Sequence, residues 1–153
     1  MGEPEPVDLL VEIRAVLDTL ELQLRDHIVD VEMPRIKVQA DTEVLRRTLT
    51  RLVAEVAARS QPGCSITIRT SRRARGGEDR AGSARQQMAQ IEVGEEREET
   101  PDGEAWDDLG LVGVAEDVQT LGGEFGVSSA PGRTPTFWFT VPLPSGTSGA
   151  PDA

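Results

Sequence analysis

Two short runs of the chain, "CSITIRTS" and "QIEVGE", alternate apolar and polar residues one for one, setting Ile66, Ile68, Ile91 and Val93 on one side and Ser65, Thr67 and Arg69 on the other. Successive side chains of a strand point to opposite faces, so strands of this pattern build a sheet with one face to bury and one polar face. Such a sheet needs a second layer, and the rest of the chain offers three amphipathic helices to make it. Leu9, Leu10, Ile13, Val16, Leu17, Leu20 and Leu24 recur at three- and four-residue steps and predict a helix from about residue 8 to about residue 26. Val44, Leu45, Thr48, Leu49, Leu52, Val53 and Val56 predict a second, with Asp41 as its N-cap and "QPG" as its end. "LGLVGVAEDVQTLGG" makes the third through Val114, Val118 and Leu121, closed by glycines suited to a left-handed helix end. The expected fold class is therefore α/β: a two-layer sandwich in which a mixed sheet is covered on one face by about three helices.

The remaining elements fit around that frame. "IVDVEMPRIKVQA" alternates on both sides of Pro34, as two short strands or one interrupted strand. "EFGVSS" and "TFWFTVP" form a final pair around the turn "APGR". The domain is expected over residues 8–144, with a flexible N-terminus at 1–7 and a disordered tail at 145–153. Inside it, residues 72–86 ("RRARGGEDRAGSARQ") lack periodicity and read as a mobile basic loop, and residues 95–109 read as an acidic, lid-like segment.

Charge narrows the partners. With 16 basic and 27 acidic residues the formal net charge is −11, a field that repels nucleic acid and anionic membrane. The basic run Arg72, Arg73, Arg75, Arg80 and Arg85 contains none of the aromatics that stack bases, and reads as a solvated loop pairing with the acidic segment. No apolar run approaches the roughly 20 residues of a membrane span, and the N-terminus lacks the basic and apolar regions of a signal peptide. A cytoplasmic chain with no direct membrane insertion is expected. Cys64, the only cysteine, cannot make an internal disulfide and is expected to be a small core residue. His27 stands at a helix end, where imidazole caps well, and reads as a half-exposed cap rather than a phosphoacceptor.

The order helix, strands, helix, strand, strand, lid, helix, hairpin resembles the ATP-binding domain of bacterial histidine kinases, in the superfamily shared with gyrase and Hsp90. The resemblance runs from "PVDLLVEI" to "FTVPLP", and its strongest local match is "LGLVGVAEDVQTLGGEFGVSSAPGRTPTFWFTVPLP". It implies that Glu55 stands where the family has an Asn that completes the shell of nucleotide-bound Mg²⁺, and Ala58 where it has a Lys. "VGEEREE" is similar to the adenine-binding motif, with Glu95 at the Asp position and Arg97 at the first glycine, where a side chain fills or reroutes the pocket. Gly110 and Gly113 remain from the glycine motif that cradles phosphates. Thr134 replaces another glycine, and Thr136 matches the family's hydroxyl position.

Between Glu92 and Asp108 nine carboxylates face the single cation Arg97, which would repel a polyanion by about 1 kcal/mol per close pair in water and about 4 kcal/mol at a protein surface. The resemblance therefore implies a degenerate ATPase domain of bacterial signalling, not active alone and without a cofactor. Its partner would be a protein such as a kinase dimerisation domain or a response regulator. The alternative is a functional domain that binds ATP and Mg²⁺ and phosphorylates a His or Ser of a partner, as a histidine kinase or an anti-sigma-factor-like serine kinase would. Glu55 falls inside the apolar arc of its helix, in line with Arg51 and Arg59. It pairs with one of them where a nucleotide once sat, or serves as a substitute Mg²⁺ ligand. Trp138 alternates away from Phe137 and Phe139, onto the face the helices leave open, as a partner contact or half-covered by Arg69 or the basic loop. Trp106, among the acids, could plug the emptied pocket.

Overall fold

A computed structural model describes residues 4–59, 63–74, 87–96, 109–128 and 136–144. The elements in chain order are β1 (Glu5–Asp8), α1 (Leu9–Thr19), β2 (Ile28–Glu32), β3 (Lys37–Ala40), α2 (Thr42–Arg59), β4 (Ser65–Ala74), β5 (Gln87–Glu96), α3 (Leu109–Leu121), β6 (Phe125–Ser128) and β7 (Thr136–Pro142). Five strands form one mixed sheet in the order β2-β4-β5-β7-β6, with β2 parallel to β4 and the other pairs antiparallel. The three helices share one core with the apolar face of that sheet: Ile66, Ile68, Ala89, Ile91, Val93, Phe137, Phe139 and Val141 are all buried with Leu9, Ile13, Leu45, Leu49, Leu52 and Val118. This is the two-layer sandwich that the strand alternation demands.

Five boundaries differ from the sequence reading. Residues 5–8 are not a flexible terminus: they form β1, which pairs antiparallel with β3 in a separate two-stranded sheet and buries Val7. The two halves of "IVDVEMPRIKVQA" are thus two strands in two sheets, separated at Pro34. Helix α1 stops at Thr19 rather than near residue 26, and the chain goes on in hydrogen-bonded turns. Leu20 and Leu24 stay buried there because the Leu24 N–H still bonds the Leu20 carbonyl at 2.9 Å, preserving the helical spacing past the helix end. Arg72 and Arg73 belong to β4, in register with Ala89 and Met88, so the basic segment is no loop at its start. Glu95 and Glu96 likewise belong to β5, and Leu109 opens α3. The remainder of both segments, residues 75–86 and 97–108 with Arg97 and Trp106, lies outside the described residues, as do the tail and Thr134.

Local chemistry explains the helix ends. Asp8 caps α1, its Oδ1 accepting from the N–H groups of Leu10 and Val11 at 3.1 and 3.3 Å while Oδ2 accepts from Arg35 at 3.0 Å. Asp41 does the same for α2, accepting from the Glu43 N–H at 3.0 Å. Helix α3 closes with Gly122 at φ 89°, where the Gly122 and Gly123 N–H groups bond the carbonyls of Gln119 and Val118. We expect Asp8→Ala to cost about 1 kcal/mol, read as a fall of roughly 2–4 °C in melting temperature. Asp8→Asn should keep most of the cap, and an unchanged Asp8→Ala would contradict it.

Cys64 is half-buried just before β4 rather than packed inside a strand. Its carbonyl lies 3.1 Å from Nδ1 of His27, a contact that requires the proton on Nδ1 and ties the half-buried histidine to the chain entering β4. Among the described residues, no helix is long and apolar enough to cross a membrane.

Candidate functional site at the seam of two helices

The best-defined polar cluster lies between α2 and α3. Arg47 and Arg51 stand one turn apart on α2, so both reach the same point of the neighbouring helix. That point is Asp117, only 7% exposed although it is charged. Arg47 grips it as a fork, Nε to Oδ2 at 3.1 Å and Nη2 to Oδ1 at 2.9 Å. The hydrogen bonds to Asp117, and then its charge, raise the Arg47 pKa above the ordinary arginine value. Arg51 holds Asp117 more loosely, with Nη1 3.8 Å from Oδ2. One turn before Asp117, a Cβ on Gly113 would overlap Nη1 of Arg51, so this guanidinium lies against bare helix backbone. On the other flank Arg46 bonds Glu12 of α1, a second buried carboxylate, and its pKa is raised by the same two causes in the same order.

Glu55 follows Arg51 by one turn on α2 and is half-buried and engaged rather than free. Of its two expected partners, Arg51 turns to Asp117, whereas Arg59 ends the helix with its side chain outside the described residues. Glu95 occupies the register position opposite Ile66, its side chain also outside the described residues. Gly110 lies in the first turn of α3 and Gly113 at the seam. Thr136 is set apart from them. It pairs with Gly94 on the sheet face away from the helices, its Oγ1 2.9 Å from where a Gly94 Cβ would stand.

Trp138 shares that open face and is half-buried. Its indole occupies the space that a Cβ on the cross-strand partner Gly126 would need, while Arg69 donates from Nε to Glu32 at 3.0 Å. The ring thus lies against the bare backbone of Gly126, and Glu92 stands opposite Trp138 in register. Trp138 also walls a shallow groove of about 290 Å³ with Ala115, Gln119, Gly123, Glu124 and Phe125.

Among the described residues no three His, Cys, Asp or Glu side chains are grouped as a metal site. No protein-family model matches the chain, and neither does any curated protein. Solved structures do. The mycobacterial sensor histidine kinase MprB superposes with a TM-score of 0.68 at 19% identity, over 92% of this chain and 97% of that one. The catalytic domain of histidine kinase ThkA gives 0.66 at 19% identity, over 93% and 98%. Full-length ShkA, in complex with AMPPNP, gives 0.66 at 19% identity, over 92% of this chain and 31% of its own.

This chain has the fold of a histidine kinase catalytic domain.

Within that fold, the residues that hold the helices together, Glu12, Arg46, Arg47 and Asp117, are not among those the sequence pattern singles out. A signal was present. Arg47 and Arg51 are spaced by one turn on the second amphipathic helix, and Asp117 adjoins Val118 on the apolar arc of the third, where a carboxylate needs a cation.

Proposed function

We propose that this chain is a degenerate histidine-kinase-type ATPase domain of bacterial signalling, acting through protein–protein interaction with weak or lost ATP binding. The observation that carries the proposal is the guanidinium of Arg51 laid over Gly113: a charged side chain occupies the helix surface at a glycine that the resemblance assigns to the phosphate-binding motif. The residues implied for Mg-nucleotide support the same reading in part. Mg²⁺ bound to a nucleotide needs as few as one carboxylate from the protein, which Glu55 would supply, while Ala58 offers no cation to the phosphates. The partner would be a kinase dimerisation domain, a response regulator or another signalling protein, meeting the open sheet face at Trp138, and cytoplasmic signalling suits it.

The second reading, a working ATP-dependent protein kinase, is favoured by one comparison, since ShkA holds AMPPNP in a chain of this fold. Calorimetric titration of ATP and ADP with and without Mg²⁺ separates the two. The degenerate reading expects no saturable binding at micromolar nucleotide and no hydrolysis or phosphotransfer above background. Mg²⁺-dependent micromolar binding would overturn it and make Glu55 a metal ligand.

A further inference from the structure

Among the described residues, nothing pairs with the outer edge of β6, the last strand of the five-stranded sheet. The bond from the Thr140 N–H to the Glu124 carbonyl fixes the phase of the β6–β7 ladder. In an antiparallel pair, residues turn both backbone groups toward the partner at every second position. Gly126 and Ser128 therefore face β7, while the N–H and C=O groups of Phe125 and Val127 point outward. Such a row is a template for one more strand.

The flanks of this edge say which strand fits. On the helix side, Val127 of β6 and Val112 of α3, three residues before the groove-lining Ala115, are 50% and 52% exposed. On the open face Gly126 has no side chain, and the Trp138 indole lies over it. A residue added opposite Gly126 would meet the indole across bare backbone, and would meet the exposed Glu124 diagonally, since Glu124 lines the same groove. An aromatic ring and a carboxylate within reach of one position favour Lys or Arg there.

The surrounding charge agrees. Residues 109–128 and 136–144, which build α3, β6 and β7, contain no Lys, Arg or His but carry Glu116, Asp117 and Glu124, and Glu92 stands opposite Trp138 on β5. Asp117 is neutralised by Arg47 on the side of α3 turned away from Ala115 and Gln119. The cations of the open face, Arg69 and Arg73, stand on β4, three strands from β6, and bond Glu32 and Gln90. Arg133, after β6, lies outside the described residues.

We infer that β6 is a strand-addition site for an extended basic segment of a partner protein, which pairs with Phe125 and Val127 and lays one Lys or Arg side chain across Gly126 against Trp138 and Glu124. The inference rests on reading the chain as a module that meets its partner at Trp138, and it names the chemistry of that contact: main-chain bonds for affinity and one cationic side chain for specificity.

The test titrates the intact chain with the peptide acetyl-Thr-Val-Lys-Val-Thr-amide, whose Lys falls on the open face when its two Val residues face α3. NMR signals of the Trp138 Nε1–H and of the Phe125 and Val127 amides read the binding. A dissociation constant of about 1 mM is expected, and Glu in place of the peptide's Lys should weaken it at least about tenfold. Glu124→Gln, an exposed change, should weaken the Lys peptide about threefold and leave the Glu peptide no weaker. Val127→Pro removes an outward N–H and no bond to β7, so the sheet should persist while binding falls at least about tenfold.

Equal binding of the Lys and Glu peptides, or no shift at roughly 20 mM peptide, would overturn the inference. So would shifts of the Phe125 and Val127 amides that grow with protein concentration alone, which would give the edge to a second copy of the chain. Failure of the two ideas is distinguishable. Micromolar Mg-ATP binding removes the degenerate reading and leaves peptide binding at β6 standing, whereas silence toward the peptide removes the strand-addition site alone.

Discussion

Phe139→Ala is expected to cost about 3–5 kcal/mol, a large part of the roughly 5–15 kcal/mol that holds a domain of this kind together. Phe139 has no exposed surface. It stands in register with Ile91 on β5 and Phe125 on β6, so its ring joins three strands of the sheet to the helix layer. Its neighbour Phe137 is equally enclosed and stacks on Phe125 with ring centres 6.5 Å apart and planes 3° from parallel, leaving little freedom to collapse into the vacated volume. The cost should therefore lie at the cavity-forming end of such substitutions. Urea denaturation would read it as a lower midpoint at an unchanged slope. A loss below roughly 1 kcal/mol would mean that Phe139 is not at the centre of the core.

Gly123→Ala should be nearly as damaging, for a different reason. A Cβ at Gly123 would fall onto the backbone carbonyl of Thr140, which no rotamer change can move aside. The same place is stitched by two further bonds at 2.9 Å, from the Glu124 N–H to the Thr140 hydroxyl and from the Thr140 N–H to the Glu124 carbonyl. Room for the methyl requires parting α3 and β6 from β7, at roughly 3 kcal/mol. Gly122→Ala makes the comparison sharp. There the obstacle is a left-handed backbone at φ 89°, worth only about 1–2 kcal/mol in an L-residue, and the nearest atom is a Pro142 ring carbon at 3.4 Å. If thermal or chemical unfolding ranks Gly122→Ala as the worse of the two, the close approach of α3's end to β7 is wrong.

The candidate site was only half legible in the sequence. Glu55 could be marked because a carboxylate inside an apolar helical arc is anomalous by itself. Asp117 is the same kind of anomaly, yet its meaning depended on Arg47 and Arg51, of which Arg47 lies 70 positions earlier. Gly113 could be matched to a glycine motif, but nothing in the order of residues reveals that a guanidinium covers it. Trp138 was assignable to the open face by alternation alone. Its place against Gly126 follows from the β6–β7 register, which the intervening turn sets.

Period-two and period-three-to-four hydrophobic patterns determined by themselves that this chain builds a one-sided sheet under amphipathic helices, because side-chain direction along a strand or helix is a local geometric property. The same is true of the capping by Asp41 and the helix stop at Gly122, which need only neighbours within a few residues. Tertiary structure alone decided that residues 5–8 are a strand, and that Arg47 neutralises Asp117 while Arg51 rests on Gly113. Each of those outcomes depends on a group distant in sequence that satisfies a hydrogen bond, a charge or a volume, and such partnerships exist only once the layers have packed.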